Sequence, residues 1–168
     1  VLIICLIIIG IQKYQQKKQQ EYYEALLENE SSQSQTTEEV PEPETEEAPD
    51  VLKSLGIEIP EKDIDFAALK EENSDVYAWI YVPGTNVDYP VLQHPTDDAY
   101  YLEHNMDGSS GLPGCIYTES VNTKDFTDPN TVLYGHNMKN GSMFASLHNF
   151  EDQQVFEENP YFYIYTED

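Results

Sequence analysis

YAWIYVPGTNVDYPVL, residues 77 to 92, sets the class of fold. Tyr77 to Val82 is a run of aromatic and β-branched residues with strand propensity, Pro83-Gly84 turns the chain, and Val87 to Leu92 alternates well enough to be the second strand of a hairpin. Pro90 has no N–H to give to a ladder, so this reading puts it at an edge or a bulge. Upstream, Asp65 is placed to cap a short helix carrying Phe66 and Leu69 and ending near Asn73 and Ser74, with Ile57 and Ile64 extending its apolar face. Downstream, Thr96 or Asp97 opens a helical turn through Leu102. Gly108 to Gly111 and Pro113-Gly114 then loop the chain into a strand at Cys115-Ile116-Tyr117. Val121 to Asn130 is a polar connection. Ser142 to Leu147 and Gln153 to Glu158 read as short helical runs, and Tyr161 to Thr166 as a final strand. Strands joined by irregular connections, without βαβ alternation, predict a mainly β fold, a barrel with short helices.

The rest of the chain is of a different kind. Val1 to Ile11 (VLIICLIIIGI) is almost wholly apolar, too short to span a bilayer alone, and reads as the tail of a longer hydrophobic membrane anchor. A cleaved signal peptide is the competing reading, but Gln12 to Gln20 is rich in lysine and glutamine and offers no small-residue cleavage pattern. The lysines that follow leave topology open. Residues 12–60 read as an acidic linker rich in Pro, Glu and Ser, with too little apolar surface to offset the entropy of ordering. Folding is therefore assigned to residues 61–168. Of the formal charge of −24, −8 falls in residues 1–50 and −16 in residues 51–168. No basic patch is present to neutralise phosphates, which disfavours nucleic acid as a partner. There is no Cys/His pair at zinc spacing and no glycine-rich phosphate loop, so neither a metal nor a cofactor is expected.

Chemistry looks prepared in one place, TVLYGHNMKNGSMF from Thr131 to Phe144. Thr131 to Tyr134 reads as a buried strand, Gly135 breaks it, and Asn137 to Gly141 is turn chemistry. His136 then sits at a strand end, held on one side and open to a cleft on the other, which suits a group that exchanges protons near neutrality. A lone histidine is more often a structural residue making one backbone hydrogen bond. His94, His104 and His148 read that way, as ordinary surface residues.

The same stretch resembles the histidine-bearing segment of class B sortases, the membrane-anchored cysteine transpeptidases of Gram-positive bacteria. A second block resembles them too: Ile64-Asp65-Phe66, Asn73 to Ile80 (NSDVYAWI), Pro83-Gly84-Thr85, Val87 to Gln93 (VDYPVLQ) and Tyr100-Tyr101-Leu102. The resemblance covers residues 61 to 168, and it implies a sortase-like β barrel with short helices. It also implies a cysteine transpeptidase that cleaves a C-terminal sorting signal at threonine and joins the protein to a peptidoglycan amine. Its partners would be sorting-signal-bearing surface proteins, the peptidoglycan precursor and, through the anchor, a membrane, with the catalytic domain outside the cell. By resemblance His136 is the general acid and base, and Leu102 lies near the groove for the sorting signal. The family's nucleophilic cysteine and its oxyanion-stabilising arginine belong to a later part of the pattern, beyond Asp168; the chain contains no arginine. Cys115 is therefore the tempting nucleophile. Its neighbours Gly114, Ile116 and Tyr117 instead describe a strand entering a core, where cysteine is a small apolar side chain with a raised pKa. The thirteen tyrosines are compatible with lining a peptide groove or with packing on a sheet face. A different class also fits the fragment: a non-catalytic, membrane-tethered β domain that binds a peptide or a surface protein.

Overall fold

In the computed structural model, which describes residues 13–27 and 56–167, Val76–Val82 (β1) and Val87–Leu92 (β2) form the expected antiparallel hairpin. Trp79 lies opposite Pro90 and Val82 opposite Val87. The turn between them is closed by Thr85, whose hydroxyl donates to the Val82 carbonyl at 2.7 Å and accepts from the Val87 N–H at 3.0 Å. Tyr163–Thr166 (β4) adds antiparallel to the other side of β1, and Ile116–Tyr117 (β3) adds parallel to β2. The order β3-β2-β1-β4 makes an open, mixed four-stranded sheet.

Pro90 is thus not in an outer strand, and the irregularity of the hairpin falls between Val76 and Ala78 instead. The sheet tolerates the proline because β3 pairs only with Val91 and Leu92, leaving nothing to bond on that side at Pro90. Thr131 to Tyr134 is not the buried strand expected. It touches the sheet through one bridge, Tyr134 to Tyr117, while Val132 stays 40 % exposed. β3 is only two residues long, so its other edge offers no ladder on which a longer strand could grow.

Phe66–Glu72 (α2) forms as its cap predicts: the Asp65 carboxylate accepts from the Ala68 N–H at 2.8 Å, and Phe66 and Leu69 are buried. Tyr100–Glu103 (α3) is a single turn opened by the Asp97 side chain, which accepts from the Ala99 N–H. A 3₁₀ segment, Phe144–Glu151, runs into Gln153–Glu158 (α4), which Asp152 caps.

Residues 13–27 (α1), placed in the linker by composition, are helical. Gln19, Tyr22, Tyr23, Leu26 and Leu27 fall at helical spacing on one face. Tyr23 is 4 % exposed and meets the Tyr89 ring edge-on at 5.0 Å. Tyr22 donates to Glu72 on α2, and Gln19 donates to Asp107. One face of the sheet, with Ile80, Tyr89 and Val91, packs against Tyr23, Met138 and Met143; the other, with Trp79 and Leu92, packs against Phe66, Leu69 and Tyr101. The anchor expected over 1–11 and the linker from 28 to 55 lie outside the described residues. Among those residues no helix is long and apolar enough to cross a membrane.

Candidate functional site

Two glycines shape the space around His136. At Gly135 a Cβ would lie 2.4 Å from Ile116 Cδ1 and 2.8 Å from Phe144 Cδ2, so only glycine lets the chain pass between β3 and the 3₁₀ segment. The backbone is pinned on either side of that passage. Tyr134 and Tyr117 exchange two main-chain hydrogen bonds of 2.8 and 3.1 Å, and the His136 carbonyl accepts from the Phe144 N–H at 3.0 Å. Gly114, at φ +68°, sets the second wall. A Cβ there would lie 2.5 Å from the Tyr101 carbonyl oxygen, and the next residue, Cys115, donates its N–H to that same oxygen. Turn α3 is anchored by Tyr101, whose hydroxyl donates to Asp75 at 2.7 Å and Asn73 at 3.1 Å. Burial, reinforced by the Asp75 carboxylate, holds that phenol well above its ordinary range, so it remains a donor.

His136 and Leu102, 34 positions apart in sequence, therefore line one cavity of about 590 Å³. Gln15, Gln16, Glu103, His104 and Ser110 complete its polar lining. Leu102 is 41 % exposed, a surface position rather than a core one. His136 Nδ1 is shielded from solvent and has no hydrogen-bond partner among the described residues. A buried, unpartnered ring nitrogen costs stability, and such groups in native structures call for an explanation, a catalytic role among them.

Cys115 does not join this constellation. It is fully buried, its thiol donates to the His104 carbonyl at 3.5 Å, and the Tyr23 hydroxyl lies 3.9 Å from Sγ. Burial pushes the thiol up to about 12, so at neutral pH it is not a thiolate and not a nucleophile. His148 is exposed and is bound to Glu151 and Asn137. His104 departs from the reading as an ordinary surface residue: it is half-buried and shares the cavity with His136. Its four-residue spacing from Tyr100 was the available signal, since i and i+4 side chains meet on a helical turn. Gln15 and Gln16 were hidden by the assignment of α1 to the linker. Among the described residues no group of three or more His, Cys, Asp or Glu side chains is arranged to hold a metal ion.

No family model matches the chain. Sortase B of Listeria monocytogenes is 42 % identical over 94 residues, which are 56 % of this chain and 38 % of that protein. Sortase B of Staphylococcus aureus is 32 % identical over 94 residues, with the same coverage. Among solved structures, Clostridium perfringens sortase B superposes with a TM-score of 0.55 at 40 % identity, over 60 % of this chain and 54 % of that one. A Staphylococcus aureus sortase B–substrate complex superposes with a TM-score of 0.55 at 29 % identity, over 61 % and 47 %. The chain spans less than half the length of the curated relatives it matches.

Proposed function

We propose, from the premise that this chain is homologous to sortase B over its folded part, that it supplies the histidine-bearing half of a cysteine transpeptidase. The observation that carries the reading is the shared cavity: His136, with one ring nitrogen out of water and unpartnered, lies beside Leu102 on a backbone that two glycines and a few main-chain bonds hold in place. In the proposed reaction a thiolate attacks the threonyl carbonyl of a sorting signal. His136 protonates the departing amine, an acyl-enzyme forms, and His136 then takes a proton from the attacking amine of a peptidoglycan precursor. The thiolate is not Cys115. It and the oxyanion-stabilising arginine are assigned to chain beyond Asp168, together with the further strands that would close the open sheet into a barrel. Residues 1–11 are proposed to anchor the protein in the membrane, with the catalytic domain outside the cell and the acidic linker holding it off the bilayer.

The test is His136→Ala in the full-length protein, with Asn137→Ala and His148→Ala as controls. Single-turnover acyl transfer from a threonine-containing sorting peptide should fall roughly 10²–10⁴-fold, while thermal melts stay within a few degrees of wild type. If His136→Ala melts well below wild type yet acylates normally once folded, His136 is structural. Absence of acyl transfer by the folded wild-type protein would instead make a non-catalytic peptide-binding domain the better description.

A further inference from the structure

Met143 holds a backbone conformation that its side chain does not favour. Its φ is +54° and its ψ −134°, and a long side chain keeps such a left-handed φ only where the surroundings impose it. Two contacts impose it here. The Met143 side chain is fully buried in the cluster that holds Ile80, Tyr89 and Met138, and the Tyr89 hydroxyl accepts from the Met143 N–H at 3.1 Å within that core.

The pairing of the turn sets the direction of that N–H. Asn137 and Met143 lie opposite one another, and the bond beside them runs from the Phe144 N–H to the His136 carbonyl at 3.0 Å. In an antiparallel pair flanked by its bonds in this way, the N–H of the bridged residue points outward. Met143 therefore turns its N–H away from Asn137 and toward Tyr89 on β2. Two consecutive amides then link Tyr89 to His136: the hydroxyl holds Met143, and the next residue, Phe144, holds the His136 carbonyl.

The phenol is suited to this. Burial raises it above its ordinary range, against the lowering influence of the Met143 bond, so at neutral pH it is a neutral acceptor. Its ring is 4 % exposed and stays in place when the hydroxyl is removed. The β1–β2 turn grips the same loop further along: the Asn86 N–H donates to the Ser146 hydroxyl at 2.9 Å, and the Asn86 side chain donates to the Gly141 carbonyl at 3.3 Å. Deleting the Tyr89 hydroxyl leaves a buried N–H without that acceptor, on a residue whose backbone has easier conformations to fall back to. The loop then relaxes at Met143, and the His136 carbonyl moves with its partner.

We propose that Tyr89 is a positioning residue for His136: its hydroxyl fixes the Met143 amide and, through Phe144, sets where the His136 backbone and its imidazole stand. Tyr89 touches neither substrate nor the reacting atoms. The proposal rests on the reading of His136 as the general acid and base.

The experiment compares Tyr89→Phe with Tyr165→Phe in the full-length protein. Tyr165 is the control because it lies in β4, at the far side of the sheet from β3, and its hydroxyl donates to the Pro60 carbonyl at 2.7 Å. In protein labelled at histidine, the His136 ring signals, assigned by their loss in His136→Ala, should shift or broaden in Tyr89→Phe and hold in Tyr165→Phe. Per folded molecule, Tyr89→Phe should lower kcat for acyl transfer about tenfold and leave KM within about twofold, while Tyr165→Phe changes neither. Hydrogen exchange in the unsubstituted protein needs no variant to fold: the Met143 amide should be protected. Unchanged His136 signals in Tyr89→Phe, the same change in Tyr165→Phe, a rise in KM at constant kcat, or an unprotected Met143 amide each overturns the assignment. If the wild-type protein performs no acyl transfer, the transpeptidase reading falls, and the His136 signals and the Met143 amide alone decide whether Tyr89 positions His136.

Discussion

The β1–β2 hairpin and the segment from Thr131 to Phe144 are held by different means. The hairpin is a ladder of six paired positions, irregular between Val76 and Ala78 and buried on both faces, with Trp79 at 1 % exposure and Val91 and Leu92 at 0 %. Among the described residues, the His136 segment is paired through two isolated bridges, Tyr134 to Tyr117 and Asn137 to Met143. It keeps its course because Gly135 leaves no room for another one. A scaffold that rests on buried area should lose stability when area is removed. A site that rests on one steric fit and a few hydrogen bonds should lose geometry first.

The sharpest test of that contrast is Trp79→Ala. The indole is buried against Phe66 and Leu69, and its N–H donates to Asp88 at 2.6 Å, where Lys62 also binds. Truncation removes the ring, leaves a cavity and takes a donor from a half-buried carboxylate, for a cost of about 3–5 kcal/mol. Urea unfolding should show a lower midpoint with the slope unchanged, and acyl transfer per folded molecule should be preserved. A loss below about 1 kcal/mol would mean that the hairpin is not the part that carries the fold.

Gly135→Ala probes the other region with the smallest change available. The added methyl collides with Ile116 Cδ1 and Phe144 Cδ2, so β3 or the 3₁₀ segment must shift. Overpacking of this kind costs about 1–3 kcal/mol. Because His136 is the next residue, acyl transfer per folded molecule should fall as well, by up to about 10²-fold for a displacement near 1 Å. Melts and single-turnover rates together decide the matter. A stability loss with full activity would place the steric fit in the core and not in the site.

How far each region could be read from sequence follows the same division. The hairpin announced itself because YAWIYV and VDYPVL carry their own propensity and a turn joins them, and α2 did so because Asp65 caps it locally. Thr131 to Tyr134 has equal strand propensity and failed to become a strand, since propensity does not say whether a partner is free. Pro90 was misplaced for a related reason: the length of β3, which decides what Pro90 must bond to, is a tertiary fact. The face made by Gln19, Tyr22, Tyr23, Leu26 and Leu27 was present in the sequence and was masked by the charged residues between them. Of the site, His136 was legible from its place after a strand-like run and before a turn, and Leu102 through resemblance alone; that the two share a cavity was not legible, because no local pattern reports that a chain crossing Gly114 brings two loops together. His104 was missed because each histidine was judged singly, without its ring neighbour four residues back.

Cys115 is where the smallest effect on activity is expected. It lies between the two regions, next to β3, yet it is a core residue: no part of it is exposed, and its thiol points at the His104 carbonyl. Desolvation is the main cause that raises it from an ordinary value of 9.0 to about 12. The folded state therefore favours the protonated thiol. The stability this contributes is fully present below about pH 9 and is lost as pH rises from there toward about 12. At pH 8 the native full-length protein should leave Cys115 unlabelled by iodoacetamide, and labelling should appear only as urea unfolds the chain, as read by mass spectrometry of the peptide containing Cys115. Cys115→Ala should cost about 1 kcal/mol, as a small cavity does, and should leave acyl transfer per folded molecule within twofold of wild type. Labelling of the native protein at the unfolded rate would mean that the thiol is neither buried nor raised. If Cys115→Ala also abolished transfer, Cys115 would be the nucleophile, and the division between scaffold and site would have to be drawn through β3 itself.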